Sequence, residues 1–131
     1  MILTLAADLP SRIDEPAIAS RIVRGALQDA ASLRPLIVSI REVWGHELLV
    51  GLEGDRGFIQ VASSAGGPYW VTFNREALPE SGIQGVDFFL HGEHHTPVPV
   101  QHLVPSSDLW KALEAFLVAA VRSPRVEWRT V

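Results

Sequence analysis

His91-Gly92-Glu93-His94-His95 places three imidazoles and one carboxylate within five residues, a donor set that suits zinc. The spacing departs from the helical zinc motif, where two histidines stand four apart on a helix with a glutamate between them. His91 and His95 are four apart, but Gly92 and the nearby Pro97 and Pro99 oppose a helix. A strand or turn is left as the way to bring two rings together, with only His46 or His102 to complete a coordination sphere. A solvated loop or interface tip is therefore the expectation, and no cofactor is expected. The rival from another class is a small metal-dependent enzyme or metal-binding protein using His91, Glu93, His94 and His95.

Other side chains with chemical potential are scattered. Glu47, Glu53, Asp55, Asp87 and Glu93 are carboxylates near strand ends, and no pair has a spacing that compels a shared acid–base site. Ser63-Ser64 before Gly66-Gly67 lacks the Gly-x-Ser-x-Gly of a nucleophile elbow and the Gly-Lys-Ser/Thr of a phosphate loop. It reads as a hairpin turn. Of the four tryptophans, Trp110 and Trp128 fall on apolar stripes and read as core. Trp44 lies beside a turn. In an alternating strand Tyr69 and Trp70 face opposite sides, which leaves two readings open: one of them partly exposed, or both covered by a second small core or a covered sheet face. An aromatic ringed by Glu53, Asp55, Glu76 and Glu80 would suit a protein-binding anchor.

The composition sets limits on function. The 131 residues carry a formal net charge of -4 and form no Lys/Arg-rich run, which disfavours a nucleic-acid-binding role and suits a basic partner. Hydrophobic residues make up 47% and charged residues 20%, as in an ordinary globular domain. There is no cysteine, which excludes disulfides and thiolate chemistry and fits a reducing cytoplasm. The apolar start, Met1 to Ala7, has no preceding positive region and reads as a strand, not a signal peptide. No apolar run approaches a membrane span. One domain over residues 1–131, as a monomer or weak homodimer, is the expectation.

The elements that would position these residues follow from periodicity. Ile2 to Ala6 reads as a strand. Asp14 as a side-chain cap before Glu15-Pro16 starts a helix, with Ile18, Ile22, Val23, Ala26, Leu27 and Ala30 on one face. Three strands follow at 36–44, 47–52 and 58–63. Gly45-His46 forms the first turn and Gly54-Asp55-Arg56-Gly57 the second, the latter with two glycines free to adopt positive φ. Tyr69 to Phe73 continues the meander. Residues 74–85 form a polar loop, Val86 to Leu90 a strand, and Thr96 to Val100 an edge segment that tolerates proline. Pro105-Ser106-Ser107-Asp108 leads into a helix with Leu109, Leu113, Phe116, Leu117 and Ala120 along one stripe. Pro124 stops the chain from remaining helical, and Val126 to Thr130 alternates as a closing strand. The expected fold is α+β: an antiparallel meander with an N-terminal and a C-terminal helix on one face.

Three segments carry a family likeness. They are Leu48-Leu49-Val50-Gly51-Leu52-Glu53-Gly54-Asp55-Arg56-Gly57, then Val98-Pro99-Val100 with Leu103-Val104-Pro105, then Leu113-Glu114-Ala115-Phe116-Leu117 with Arg122-Ser123-Pro124-Arg125-Val126-Glu127-Trp128. In these the chain resembles the bacterial immunity proteins encoded beside polymorphic toxins, in the family most often paired with nucleic-acid deaminase toxins. It departs from the pattern at Ala119-Ala120-Val121-Arg122, where a glycine is expected at the helix end. The resemblance implies an α+β fold, no catalysis, and inhibition of a cognate toxin by direct binding. It supplies no catalytic residues. The contact residues expected on the strand–loop surface are Glu53, Asp55, Tyr69, Trp70, Glu76, Glu80, Asp87, Glu93 and His94, facing a basic catalytic domain.

Overall fold

The structure, a computed structural model, describes residues 1–4, 11–30, 35–76, 85–90 and 94–131. Its centre is the meander β3 (Leu36–Val43), β4 (His46–Glu53), β5 (Arg56–Ser63) and β6 (Trp70–Phe73), extended by the closing strand β10 (Glu127–Thr130). Branched side chains dominate β3 and β4, and two-residue turns fix the register. Val43 pairs with His46 across Trp44-Gly45, and Glu53 pairs with Arg56 across Gly54-Asp55. The first turn is thus one residue earlier than Gly45-His46. In the second turn only Gly54 takes positive φ, +60°, and Gly57 is a strand residue. A glycine with positive φ at the first central position is what a type II′ hairpin turn uses.

Both long edges of the meander are shared. At β3, β1 (Ile2–Thr4) pairs antiparallel with Ser39 to Arg41, while β7 (Gly85–Leu90) pairs in parallel through Leu36↔Phe89 and Ile37↔Leu90. β7 in turn pairs with β8 (His94–Pro99), and β2 (Ser11–Arg12) lies outside β1. At β5, β9 (Val104–Pro105) pairs with Arg56 and Gly57, and β6 pairs with Gln60 and Val61. The antiparallel fold thus holds with one exception, the parallel β3–β7 link. β8 also begins at His94, where irregular chain was expected.

Between the β9 and β6 pairings, Thr72 fills the gap. Its Oγ1 accepts the Ile59 N–H at 3.1 Å and donates to the His102 carbonyl at 2.9 Å. The residue is fully buried, so a short polar side chain here splices two incomplete ladders.

Two helices, α1 (Pro16–Ala30) and α2 (Ser106–Ala119), cover one face of the sheet. The main core joins Val38, Ile40, Leu48, Val50, Leu52 and Ile59 of the sheet to Val23, Leu27, Leu109, Leu113 and Leu117 of the helices. The alternate residues Ile37, Phe58 and Val71 pack with Phe88, Val98 and Leu103 on the opposite face, as the two-residue strand period requires. The buried stripe of α1 is Ala19, Val23 and Leu27, whereas Ile18 and Ile22, expected inside, are 41% and 38% exposed. The small Ala19 lets α1 sit close, and the larger isoleucines are turned outward. Asp14 does not cap α1 by its side chain; the Ile18 and Ala19 N–H groups go to the Glu15 carbonyl.

The start of α2 is tied to the β4–β5 turn by Ser106 N–H donating to the Asp55 carbonyl at 2.7 Å. At its other end Ala120 takes the left-handed conformation, φ 57°, and its N–H returns to Phe116 O. A glycine is favoured at that position; here alanine occupies it. Ala120 is exposed and not part of the core stripe.

Candidate functional site

Of the expected contact residues, Glu53, Asp55 and Glu76 lie at one end of the meander and Tyr69 and Trp70 at the other. Glu53 ends β4, Asp55 occupies the turn, and Glu76 follows β6. Asn74 fixes the chain before Glu76: its N–H donates to Gln101 O at 2.6 Å, and its Oδ1 accepts the Glu76 N–H at 3.1 Å. Asp55, Arg56 and Asn74 line a hollow of about 170 Å³. Asn74, Val104 and Pro105 also line a neighbouring hollow of about 300 Å³, which Glu76 borders.

Cations interleave with these acids. Arg56 bonds Glu53 at 2.8 Å, Arg75 bonds Glu127, and Arg125 reaches Asp108 at 3.4 Å. The hydrogen bond from Arg75 is the largest influence holding the Glu127 carboxyl below its ordinary range. This end is therefore mixed in charge, with Asp55 and Glu76 exposed.

Tyr69 and Trp70 lie at the other end of β6. Tyr69 lines an apolar groove of about 300 Å³ on the face opposite the helices, floored by Leu49, Phe58 and Val71 and walled by Pro97 and Pro99. His102 enters the same groove, and burial pushes its pKa below the ordinary value. Trp70 points to the helix face, where it packs on the main core beneath the Arg122 guanidinium, 3.6 Å from the ring centre. The two aromatics are therefore separated by the sheet, and neither lines the two hollows that Asp55 and Glu76 border.

Asp87 is exposed on β7, opposite Pro97. Glu80, Glu93 and His91 lie outside the described residues. His94 and His95 are placed only by their backbone in β8, opposite Leu90 and Phe89. The two histidines that would complete a metal sphere are on opposite faces. His46 stacks edge-on against Phe116 of α2, its Nδ1 donating to Trp44 O, while His102 lies in the groove. Among the described residues, no group of three His, Asp or Glu side chains is gathered for a metal. No described helix is long and apolar enough to cross a membrane.

One surface aromatic escaped the sequence-based expectations. Trp44 is 59% exposed in the β3–β4 turn, with its Nε1–H donating to Leu117 O at 3.0 Å. The signal was a tryptophan directly before a glycine between two strand patterns.

A family-model match over most of the chain places this α+β domain in the class of immunity proteins. The chain belongs to the family of immunity protein Imm1, whose family model matches residues 18–130. Comparison with curated proteins gives no match.

Proposed function

We propose that this chain binds a cognate bacterial toxin in the cytoplasm and neutralises it by direct contact, and that the toxin is a nucleic-acid deaminase. The family match over residues 18–130 carries the immunity role. The charge of -4 supports the choice of partner: a domain acting on nucleic acid presents a basic surface, and opposite charge speeds and selects the encounter. The chain acts by binding, with no cofactor and no chemistry of its own. Its contact surface draws on Glu53, Asp55, Tyr69, Trp70, Glu76, Glu80, Asp87, Glu93 and His94. Division of Glu53, Asp55, Glu76, Tyr69 and Trp70 between two ends and two faces of the sheet favours a partner that wraps an edge over one that touches a single flat face.

Co-expression with the toxin domain encoded beside it is the test. Cells carrying both are expected to survive, and the purified pair to form a one-to-one complex. Survival no better than with toxin alone would refute the immunity role for that pair. A toxin that kills without converting cytosine or adenine in DNA or RNA would refute the deaminase assignment alone.

A further inference from the structure

Trp44 occupies the first central position of a two-residue hairpin loop, with φ 52°, followed by Gly45 at φ 76°. Positive φ at both positions marks a type I′ turn, which favours asparagine before glycine and penalises a bulky side chain. Glu42, two residues earlier, also has positive φ, 57°, where the β3–β4 register shifts. The local backbone thus accepts two unfavourable residues in order to present a tryptophan and a carboxylate. The ring is held by its Nε1–H bond to Leu117 O, so it is preorganised as well as exposed.

A hollow of about 190 Å³ lies beside the ring, and the charged side chains among its lining residues are both carboxylates, Asp14 and Glu42. Glu42 meets Arg12 and Asp14 meets the Met1 amino group, but both carboxylates are well exposed, at 56% and 80%, and such pairs exchange readily. The hollow's apolar lining includes Pro16, Val43 and Leu117. Trp70 and Trp110 each carry an arginine over the ring, from Arg122 and Arg24. Among the described residues the Trp44 ring carries none.

From this arrangement we infer that Trp44, with Asp14 and Glu42, is an anchor for an arginine on the toxin domain. The guanidinium would stack on the indole while its N–H fork meets a carboxylate, the pairing for which arginine is suited. The inference rests on the immunity role proposed above and adds to its contact surface a corner outside the residues named there.

The test compares binding of the co-encoded toxin domain to wild type, Trp44→Asn, Trp44→Phe and the pair Asp14→Asn with Glu42→Gln, each checked for its thermal midpoint. Asparagine suits the turn, so Trp44→Asn is expected to fold. It should weaken the complex on the order of 30-fold, the loss expected of an aromatic hot spot. Trp44→Phe, which keeps the ring face, should lose less than about tenfold. The double carboxylate variant should slow association, with the difference shrinking as salt rises.

Trp44→Asn binding within about threefold of wild type overturns the anchor and leaves the immunity role standing. Equal losses in Trp44→Asn and Trp44→Phe, with lowered thermal midpoints, would assign the residue to the Leu117 hydrogen bond instead and also overturn it. A wild-type dimer that Trp44→Asn dissolves would overturn it in favour of a second copy of the chain. Failure of wild type to bind at all overturns the immunity role and the anchor together.

Discussion

Thr72→Val exchanges a hydroxyl for a methyl at the point where β5 changes partner. The Thr72 hydroxyl satisfies the Ile59 N–H and the His102 carbonyl, in a residue with no exposed surface. Valine fits the space and satisfies neither group. An unpaired buried donor or acceptor costs about 1–3 kcal/mol, and the added methyl returns at most about 0.8 kcal/mol. With both groups orphaned at about 1.5–1.9 kcal/mol each, a net loss of about 2–3 kcal/mol is expected, a large share of a total stability on the order of 5–15 kcal/mol. For 131 residues, an unfolding entropy of about 2.1 cal/mol/K per residue converts that loss to a fall of about 7–11 °C in Tm. Urea titration by tryptophan fluorescence and thermal melting by circular dichroism both report it. Thr72→Ser, which keeps the hydroxyl and sacrifices the methyl, should lose only about 1 kcal/mol. A valine variant as stable as the serine variant would refute the claim that the hydroxyl joins the two ladders.

Gly51→Ala should destabilise by about 1–3 kcal/mol through overpacking, because its Cβ would stand 2.5 Å from the Phe58 ring and 3.0 Å from the Phe88 ring. A shift of the urea midpoint equivalent to less than about 0.5 kcal/mol would contradict that crowding. Burial holds the His102 pKa below its ordinary 6.5, so the unfolded chain takes up this proton first as pH falls. Its contribution to stability is complete above pH 6.5 and declines below it toward the folded-state pKa. Denaturation midpoints between pH 7.5 and 5 should therefore fall with a slope that His102→Gln reduces; Glu127, also depressed but from 4.5, contributes only at lower pH.

The meander and the two helices were legible because their signals are local: branched runs, glycine turns, and an apolar stripe on α2. What periodicity could not supply was any feature set by pairing at a distance. The parallel link from Leu36 and Ile37 to Phe89 and Leu90 joins segments about two-fifths of the chain apart, and nothing in either segment encodes the direction of approach. The face of α1 was misjudged because Ile18 and Ile22 outrank Ala19 in hydrophobicity, whereas the tight seat favours the small residue. The candidate surface was legible as a set of residue types and illegible as a set of neighbours. Alternation alone separated Tyr69 from Trp70, and only the fold shows that both stand at the far end of β6 from Asn74. Trp44 went unassigned because strain at φ 52° is invisible in a sequence. The left-handed Ala120 is the converse case: the expected glycine is absent, yet the backbone conformation it would have served is present.

Pro97 and Pro99 stand two apart on β8, the outer strand of its hairpin. Residues two apart on a strand turn their N–H groups to the same side, and proline has none to offer. A foreign strand arriving at this edge would meet missing donors where a ladder needs them, so growth of the sheet from β8 by addition of like strands is discouraged. Association along this edge is thereby left to side chains, whose chemistry can distinguish one partner from another.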